Sequence, residues 1–419
     1  MQVSHMAENL IGSEIIKLAG EINQKIKAGE NIYNFTIGDF DPQVFPIPEA
    51  LTLAITQAYN EGHTNYPAAN GIVELREAVA NFLKNYQKLE YSADDILIAG
   101  GARPLIYAIY QTILDPGDTV LFPVPSWNNN HYCHLTHARE LSIETRPEDH
   151  FMPTPEELEP HLATATLVAL CSPLNPTGTT FTRESLHKIC GLISQENQRR
   201  ASENRKPLYL MYDQIYWTLT FGNTVHYDPV SLLPGLRDYT IYVDGLSKAF
   251  AATGVRVGWS FGPRNIIDKM KSILGHVGAW APKAEQVATA RFLNQTDKVD
   301  SYLAEIREKL FFRLHGFYLG FEALSAKGYP VKAIHPQAAI YLTIQLALHG
   351  KVTPEGKTLT TTKEITAYVL EQAKLAVVPF YAFGASENSS WYRLSVGTCK
   401  EHEVAESLAA LEGALARLS

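Results

Sequence analysis

Apolar positions along this chain fall into two rhythms. Near the start, Ile11, Ile15, Ile16, Leu18, Ala19, Ile22 and Ile26 recur at broadly helical spacing and stop near Gly29, which predicts an amphipathic helix. A short apolar run over 32–35 leads into a Gly/Asp/Pro-rich turn over 38–48, and helical patterns follow over 48–60 and 72–86. From residue 96 the rhythm changes. Short, continuous apolar runs at 96–99, 119–123, 167–172, 208–212, 240–243 and 257–261 alternate with loop or helical sequence. Such runs suit strands buried on both faces, and their alternation with helices predicts an open α/β sheet. A buried helix could imitate any one run; six in alternation favour the sheet. Beyond residue 299 come a long helical stretch (299–324), an apolar segment (338–346), a polar loop (351–362), a helix (363–374) and a last apolar run (391–396). That order predicts a separate α+β unit.

Composition narrows the function classes. A chain of 419 residues with 46% hydrophobic positions has core enough for two or three domains. The net charge of −8 and pI near 6.0 argue against a nucleic-acid surface, yet arginines in a pocket could still bind acidic substrates. Cys133, Cys171, Cys190 and Cys399 have neither CxxC nor metal-ligand spacing. Reduced thiols in a cytoplasmic protein are therefore expected, with no metal site. No apolar run reaches about 18 residues, and residues 1–10 lack an apolar signal core, so neither a membrane span nor export is expected.

In open α/β sheets, ligands sit beyond the carboxyl ends of the strands. The first run leads into Gly100, Gly101, Ala102 and Arg103, then Pro104 and a striped helix. Small residues opening a helix let free N–H groups approach an anion, though a plain tight turn reads the same way. The second run leads to Trp127, which offers a face for stacking a ring or simply packs in the core. The third precedes Asn175-Pro176-Thr177-Gly178, and the fourth ends in Asp213, with Tyr216 three residues on. A carboxylate at a buried strand end needs a partner: a ligand N–H, a cation or a helix N-terminus. The fifth is followed by Ser247-Lys248. Desolvation at such a place lowers an amine's pKa and suits Schiff-base chemistry. Arg256 follows eight residues later, a charged fork that fits a phosphate dianion.

Taken together in this order, these residues resemble the class I/II aminotransferases, fold-type I pyridoxal-phosphate enzymes of the aspartate aminotransferase kind. The likeness runs from Ile37-Gly38-Asp39 to Arg393. It implies a large domain (48–298) with a mostly parallel seven-stranded sheet. A smaller α+β domain (299–419) would be completed by an N-terminal arm (1–47). It implies pyridoxal 5′-phosphate as cofactor. Lys248 would hold it as a Schiff base and shuttle protons, and Asp213 would pair with its pyridine nitrogen. Asn175 and Tyr216 would bond its phenolic oxygen, Trp127 would stack on it, and Gly101, Ala102, Arg103, Ser247 and Arg256 would cup its phosphate. Tyr66 resembles the tyrosine that reaches a neighbouring subunit's phosphate, which implies a homodimer. Gly38 and Arg393, with Trp127 and Asn175, resemble the substrate carboxylate site.

The expected reaction moves an amino group from an L-amino acid to a 2-oxo acid by a ping-pong route, with aspartate and 2-oxoglutarate as the default pair. Aromatic or neutral amino acids are the next choice, given Tyr33, Trp280, Tyr341, Phe380 and Tyr381. A carbon–sulfur β-lyase, or another enzyme eliminating or cyclising at Cβ or Cγ, is the alternative, because the same cofactor cup serves it. A non-catalytic regulatory domain is the remote one, since such regulators carry an added DNA-binding domain for which the stretch before the first motif leaves no room. Two departures from the pattern stand out. Gly245 occupies a place where many relatives have serine, which removes one phosphate contact, and the pocket wall reads Gln337-Ala338-Ala339-Ile340-Tyr341. No residue is assigned to a distal carboxylate.

Overall fold

The computed structural model describes residues 3–10, 12 and 14–419. Its main sheet has seven strands: β1 (Ile96–Ala99), β2 (Thr119–Val124), β3 (Arg139–Glu144), β4 (Leu167–Cys171), β5 (Tyr209–Asp213), β6 (Thr240–Gly245) and β7 (Gly258–Phe261). Their spatial order is β1-β7-β6-β5-β4-β2-β3. Neighbours run parallel except at β7, which is antiparallel to both β1 and β6.

The longer helices are α1 (Glu14–Lys27), α2 (Glu49–Asn60), α3 (Val73–Gln87), α4 (Ala102–Ile113), α5 (Arg183–Ser202), α6 (Arg264–Val277), α7 (Lys283–Leu293), α8 (Thr296–Ala326), α9 (Thr362–Ala373) and α10 (Glu401–Leu415). Strand residues alternate between two cores, as a period of two requires. Leu97, Ala99, Met211, Ile241 and Val243 pack with Ile109 of α4 and Met270 of α6. Ile96, Ile98, Leu210, Tyr212 and Tyr242 face the other way, against Phe82 of α3, Ile193 of α5 and Phe292 of α7. Covering both faces is why these strands read as unbroken apolar runs. Each large side chain so buried contributes roughly 1.5–3 kcal/mol of transfer free energy.

The six strands expected from apolar runs are all present. The seventh, β3, carries no such signal. It lies at the sheet edge with one neighbour, and its sequence Arg-Glu-Leu-Ser-Ile-Glu leaves every second residue exposed. Polar edges of this kind discourage pairing with other chains.

A second, four-stranded antiparallel sheet joins Val378–Pro379, Trp391–Ser395, Tyr341–Leu346 and Val331–Ala333, in that spatial order. The apolar segment expected from residue 338 starts as strand only at Tyr341, because Ala339 adopts a left-handed conformation (φ 63°). Ile344 and Leu394 pack on Phe317 of α8, Ile365 of α9 and Leu411 of α10. Helix α8 spans 31 residues and belongs to both cores, with Val299 and Leu303 in the first and Leu310 to Leu324 in the second.

The chain start returns to this second sheet region, where Tyr33–Asn34 pairs in parallel with Leu375–Ala376. Of the apolar stripe expected near the N-terminus, Ile11 lies outside the described residues. Ile15 and Ile22 are buried, and Ile15 packs against Phe380 and Phe383. Ile26 of the same stripe is 39% exposed, so the stripe finds only partial cover within its own chain. Among the described residues no helix is long and apolar enough to cross a membrane, and the four cysteines are free.

Candidate active site

The carboxyl ends of β1, β2, β4, β5 and β6 open onto one cleft of about 610 Å³. Because β7 runs the other way, Arg256, two residues before it, reaches the same rim as residues that follow the other strands. Lys248, Ser247, Asp213, Tyr216, Asn175 and Trp127 all line the cleft. So do Ala102, Arg103 and Arg256 on one side and Gly38 and Arg393 on the other. Gly101 sits just behind, at the N-terminus of α4. Tyr66 does not join them: it is 81% exposed and meets Trp280 edge-on, with ring centroids 5.2 Å apart.

The Lys248 amine donates to the Gly38 carbonyl at 2.5 Å. Burial pushes its pKa down to about 8; Asp39 opposes that shift, and Arg393, Arg103 and Arg256 add to it. Asp213 moves the other way. Burial raises its carboxyl to about 6, restrained by the Ile215 N–H that donates to Oδ1 at 3.0 Å. A partly buried carboxylate with one donor is costly unless a ligand supplies another.

Arg393 is 1% exposed. Its Nη1 donates to Asn175 Oδ1 at 3.0 Å and its Nη2 to the Thr36 carbonyl at 2.6 Å, while its buried Nε has no partner among the described residues. The bond to Oδ1 fixes the Asn175 amide so that its NH₂ remains a free donor. Beside Arg393, whose guanidinium carbon lies 4.6 Å from the Tyr341 ring centroid, the hydroxyls of Tyr216 and Tyr341 lie 2.6 Å apart. Burial raises both phenols, so both keep their protons; one proton joins the pair and the other can be donated elsewhere.

The side of the cleft that carries Ala102, Arg103 and Arg256 rests on three stacked glycines. Gly101 adopts φ 96°, which favours glycine, and opens α4. A Cβ on Gly258 would come 2.6 Å from the Gly101 carbonyl carbon, and one on Gly245 would come 2.8 Å from the Gly258 Cα. The loss of a serine at 245 thus has a packing reason. Arg256, itself left-handed (φ 61°), anchors Nη1 on the Thr253 carbonyl at 2.6 Å and Nη2 on the Gly100 carbonyl at 2.7 Å. Its charge is held beside the first turn of α4, where unpaired N–H groups favour an anion.

A comparison with known families matches residues 30–411 to aminotransferase class I and II. The chain belongs to this family. The family uses pyridoxal phosphate, and its members act on amino acids and 2-oxo acids. Among curated relatives of this aminotransferase is an aspartate aminotransferase of Rhizobium meliloti, 30% identical over 97% of the chain and 94% of the relative. A bifunctional aspartate aminotransferase and glutamate/aspartate-prephenate aminotransferase of Petunia hybrida is 29% identical over 97% of the chain and 80% of its own. Among solved structures, an aspartate aminotransferase from Rhizobium meliloti superposes with a TM-score of 0.89, at 28% identity and full coverage of both chains. The fold is therefore the fold-type I architecture expected from the sequence.

Three residues of this aminotransferase's cleft escaped the sequence reading of roles. Ile15 arrives from α1 and lines the cleft. Tyr341 enters the sequence analysis only as part of an altered wall and as one of several aromatics, yet a Cβ on Gly38 would come 2.8 Å from its hydroxyl. Asp39 acts on Lys248 from the loop that carries Gly38. Each depends on contacts between segments far apart in sequence, and no local pattern marks them.

Proposed function

We propose that this aminotransferase holds pyridoxal 5′-phosphate on Lys248 and moves the amino group of aspartate to 2-oxoglutarate. One observation carries this reading: a lysine with a lowered pKa, a partly buried carboxylate with one donor and a buried arginine with an unpaired N–H converge in a single cleft. This donor set fits the cofactor. Asp213 suits a pyridinium N–H, and the free donors of Asn175 and Tyr216 suit a phenolate oxygen. Trp127 suits a ring face, and Gly101, Ala102, Arg103, Ser247 and Arg256 suit a phosphate.

When bound, the cofactor supplies an electron sink that no side chain provides. The protein's share is placement. Lys248, with its pKa close to working pH, carries the substrate α-proton. Arg393, backed by Asn175 and by close approach at Gly38, grips the α-carboxylate bidentately. Trp127 walls the same site. Aspartate as the donor is supported by the names of the relatives.

The active unit in this reading is a cytoplasmic homodimer. Its support is Tyr66, exposed and outside its own cleft, with Leu53, Tyr59 and Val73 also exposed on nearby elements. The reading also divides the chain at 47/48 and 298/299, the second boundary falling inside α8.

Borohydride reduction of the reconstituted enzyme followed by peptide mapping tests the cofactor site, with label expected on Lys248; label on another lysine would refute it. A screen of twenty amino acids with 2-oxoglutarate tests the substrate. Aspartate should rank first, and pyruvate with ammonia formed in the absence of an oxo acid would favour elimination instead.

A further inference from the structure

The most deeply buried carboxylate of the described residues takes no part in the proposed chemistry. Asp244 is 1% exposed, does not line the cleft, and has no cation among the groups that perturb it. An ionisable group so placed is expensive to bury, and a neutral residue would fill the space at less cost. What it touches explains its presence. Oδ1 accepts the Gly245 N–H at 2.7 Å, and Oδ2 accepts the Trp217 indole N–H at 2.8 Å.

Those two donors belong to different segments. Gly245 opens the turn that carries Ser247 and Lys248. Trp217 directly follows Tyr216 in the turn that leaves β5. Strands β5 and β6 are already in register, with Asp213 opposite Val243, and the Gln214 N–H donates to the Val243 carbonyl at 3.0 Å. Beyond that point the ladder ends and the two chains diverge toward the cleft. The Asp244 carboxylate is the next bridge between them. Trp217 is itself wedged in the core, edge-on to Phe82 at 5.6 Å, so the bridge is anchored to a rigid wall.

We infer that Asp244 and Trp217 form a positioning pair that fixes the turn bearing Tyr216 relative to the turn bearing Lys248. The pair touches neither substrate nor cofactor; it acts through the placement of the Lys248 amine against the Gly38 carbonyl and of the Tyr216 hydroxyl. The inference rests on Lys248 being the cofactor lysine, which borohydride mapping of the wild-type enzyme tests separately.

The test compares Trp217→Phe, Asp244→Asn and the double variant. Trp217→Phe removes the donor without changing any charge. Asp244→Asn is isosteric and keeps one acceptor, so a folded variant is available even where an unpaired carboxylate proves too costly. In the holoenzyme, each single variant should lower kcat about tenfold with KM within twofold, and the double should be no worse than the worse single, since the two act as one unit. In the cofactor-free protein, competitive labelling of Lys248 with acetic anhydride across pH reads its amine directly. Trp217→Phe should raise the apparent pKa of that amine by half a unit or more, as the turn relaxes and water reaches it. A merely structural role predicts something else: a lower Tm with kcat and the Lys248 titration unchanged. That result, or additive effects in the double variant, would overturn the pairing.

Discussion

Arg393→Lys is the substitution whose outcome follows most directly from the cleft geometry. The guanidinium is buried, and two of its nitrogens are committed, Nη1 to Asn175 and Nη2 to the Thr36 carbonyl. These bonds orient the fork and leave Nε, together with the remaining Nη protons, for a substrate carboxylate. Lysine keeps the charge but offers a single point, so it cannot hold both anchors and still present two parallel donors. A hydrogen bond to a charged group contributes roughly 1.5–3 kcal/mol, which is about 10- to 150-fold in kcat/KM. The loss should fall mainly on KM for both amino acid and oxo acid, because the carboxylate is gripped in the ground state as well as the transition state. Leaving either the Asn175 oxygen or the Thr36 carbonyl unpaired adds about 1–3 kcal/mol of destabilisation, which a urea melt measures separately. Steady-state kinetics with aspartate and 2-oxoglutarate decide the matter. KM and kcat within twofold of wild type, in a variant that melts normally, would remove Arg393 from the substrate site.

Other outcomes follow from the same structure. Burial lowers the Lys248 amine to about 8, so in the cofactor-free protein its charged form is penalised at pH 7. The unfolded chain binds more protons between pH 8 and the ordinary lysine value, so this penalty fades as pH rises through that window. Lys248→Met should therefore stabilise the cofactor-free protein at pH 7, on the order of 2 kcal/mol in urea melts, and lose that advantage by about pH 10.5; a constant difference would contradict the burial argument. Gly258→Ala should cost about 1–3 kcal/mol and loosen phosphate binding, because its Cβ would press on the Gly101 backbone; an unchanged melt and cofactor affinity would show that the strands can part freely. Sedimentation should find a dimer, and Tyr66→Phe should weaken cofactor retention without altering the monomer's fold. A fully active monomer would end the dimer reading.

Much of this was legible in the sequence for one physical reason. Strands covered on both faces are unbroken apolar runs, and the residues just after them, such as Asn175, Asp213 and Lys248, fall at the sheet's carboxyl edge whatever the loops do. The edge strand β3 was not legible, since a half-exposed strand of alternating polar residues has no such signature. Nor was the bond from Lys248 to Gly38, which spans 210 residues of sequence. Asp244 carries no signal of its own in the sequence, and only its bond to Trp217 singles out its carboxylate. Gly245 reads in the sequence as a missing contact, and the close approach of Gly258 gives it a packing reason.

That glycine stack also limits how this protein can change. A serine at 245 would offer an extra hydroxyl to a bound anion, but its Cβ would collide with backbone, which has no rotamer to yield. The improvement is closed to any single substitution, because β7 would have to shift first and carry Arg256 with it. In the proposed reading, selection for a tighter hold on the cofactor is thus confined to side chains on the open rim, Arg103 and Arg256 among them, while the floor beneath stays fixed.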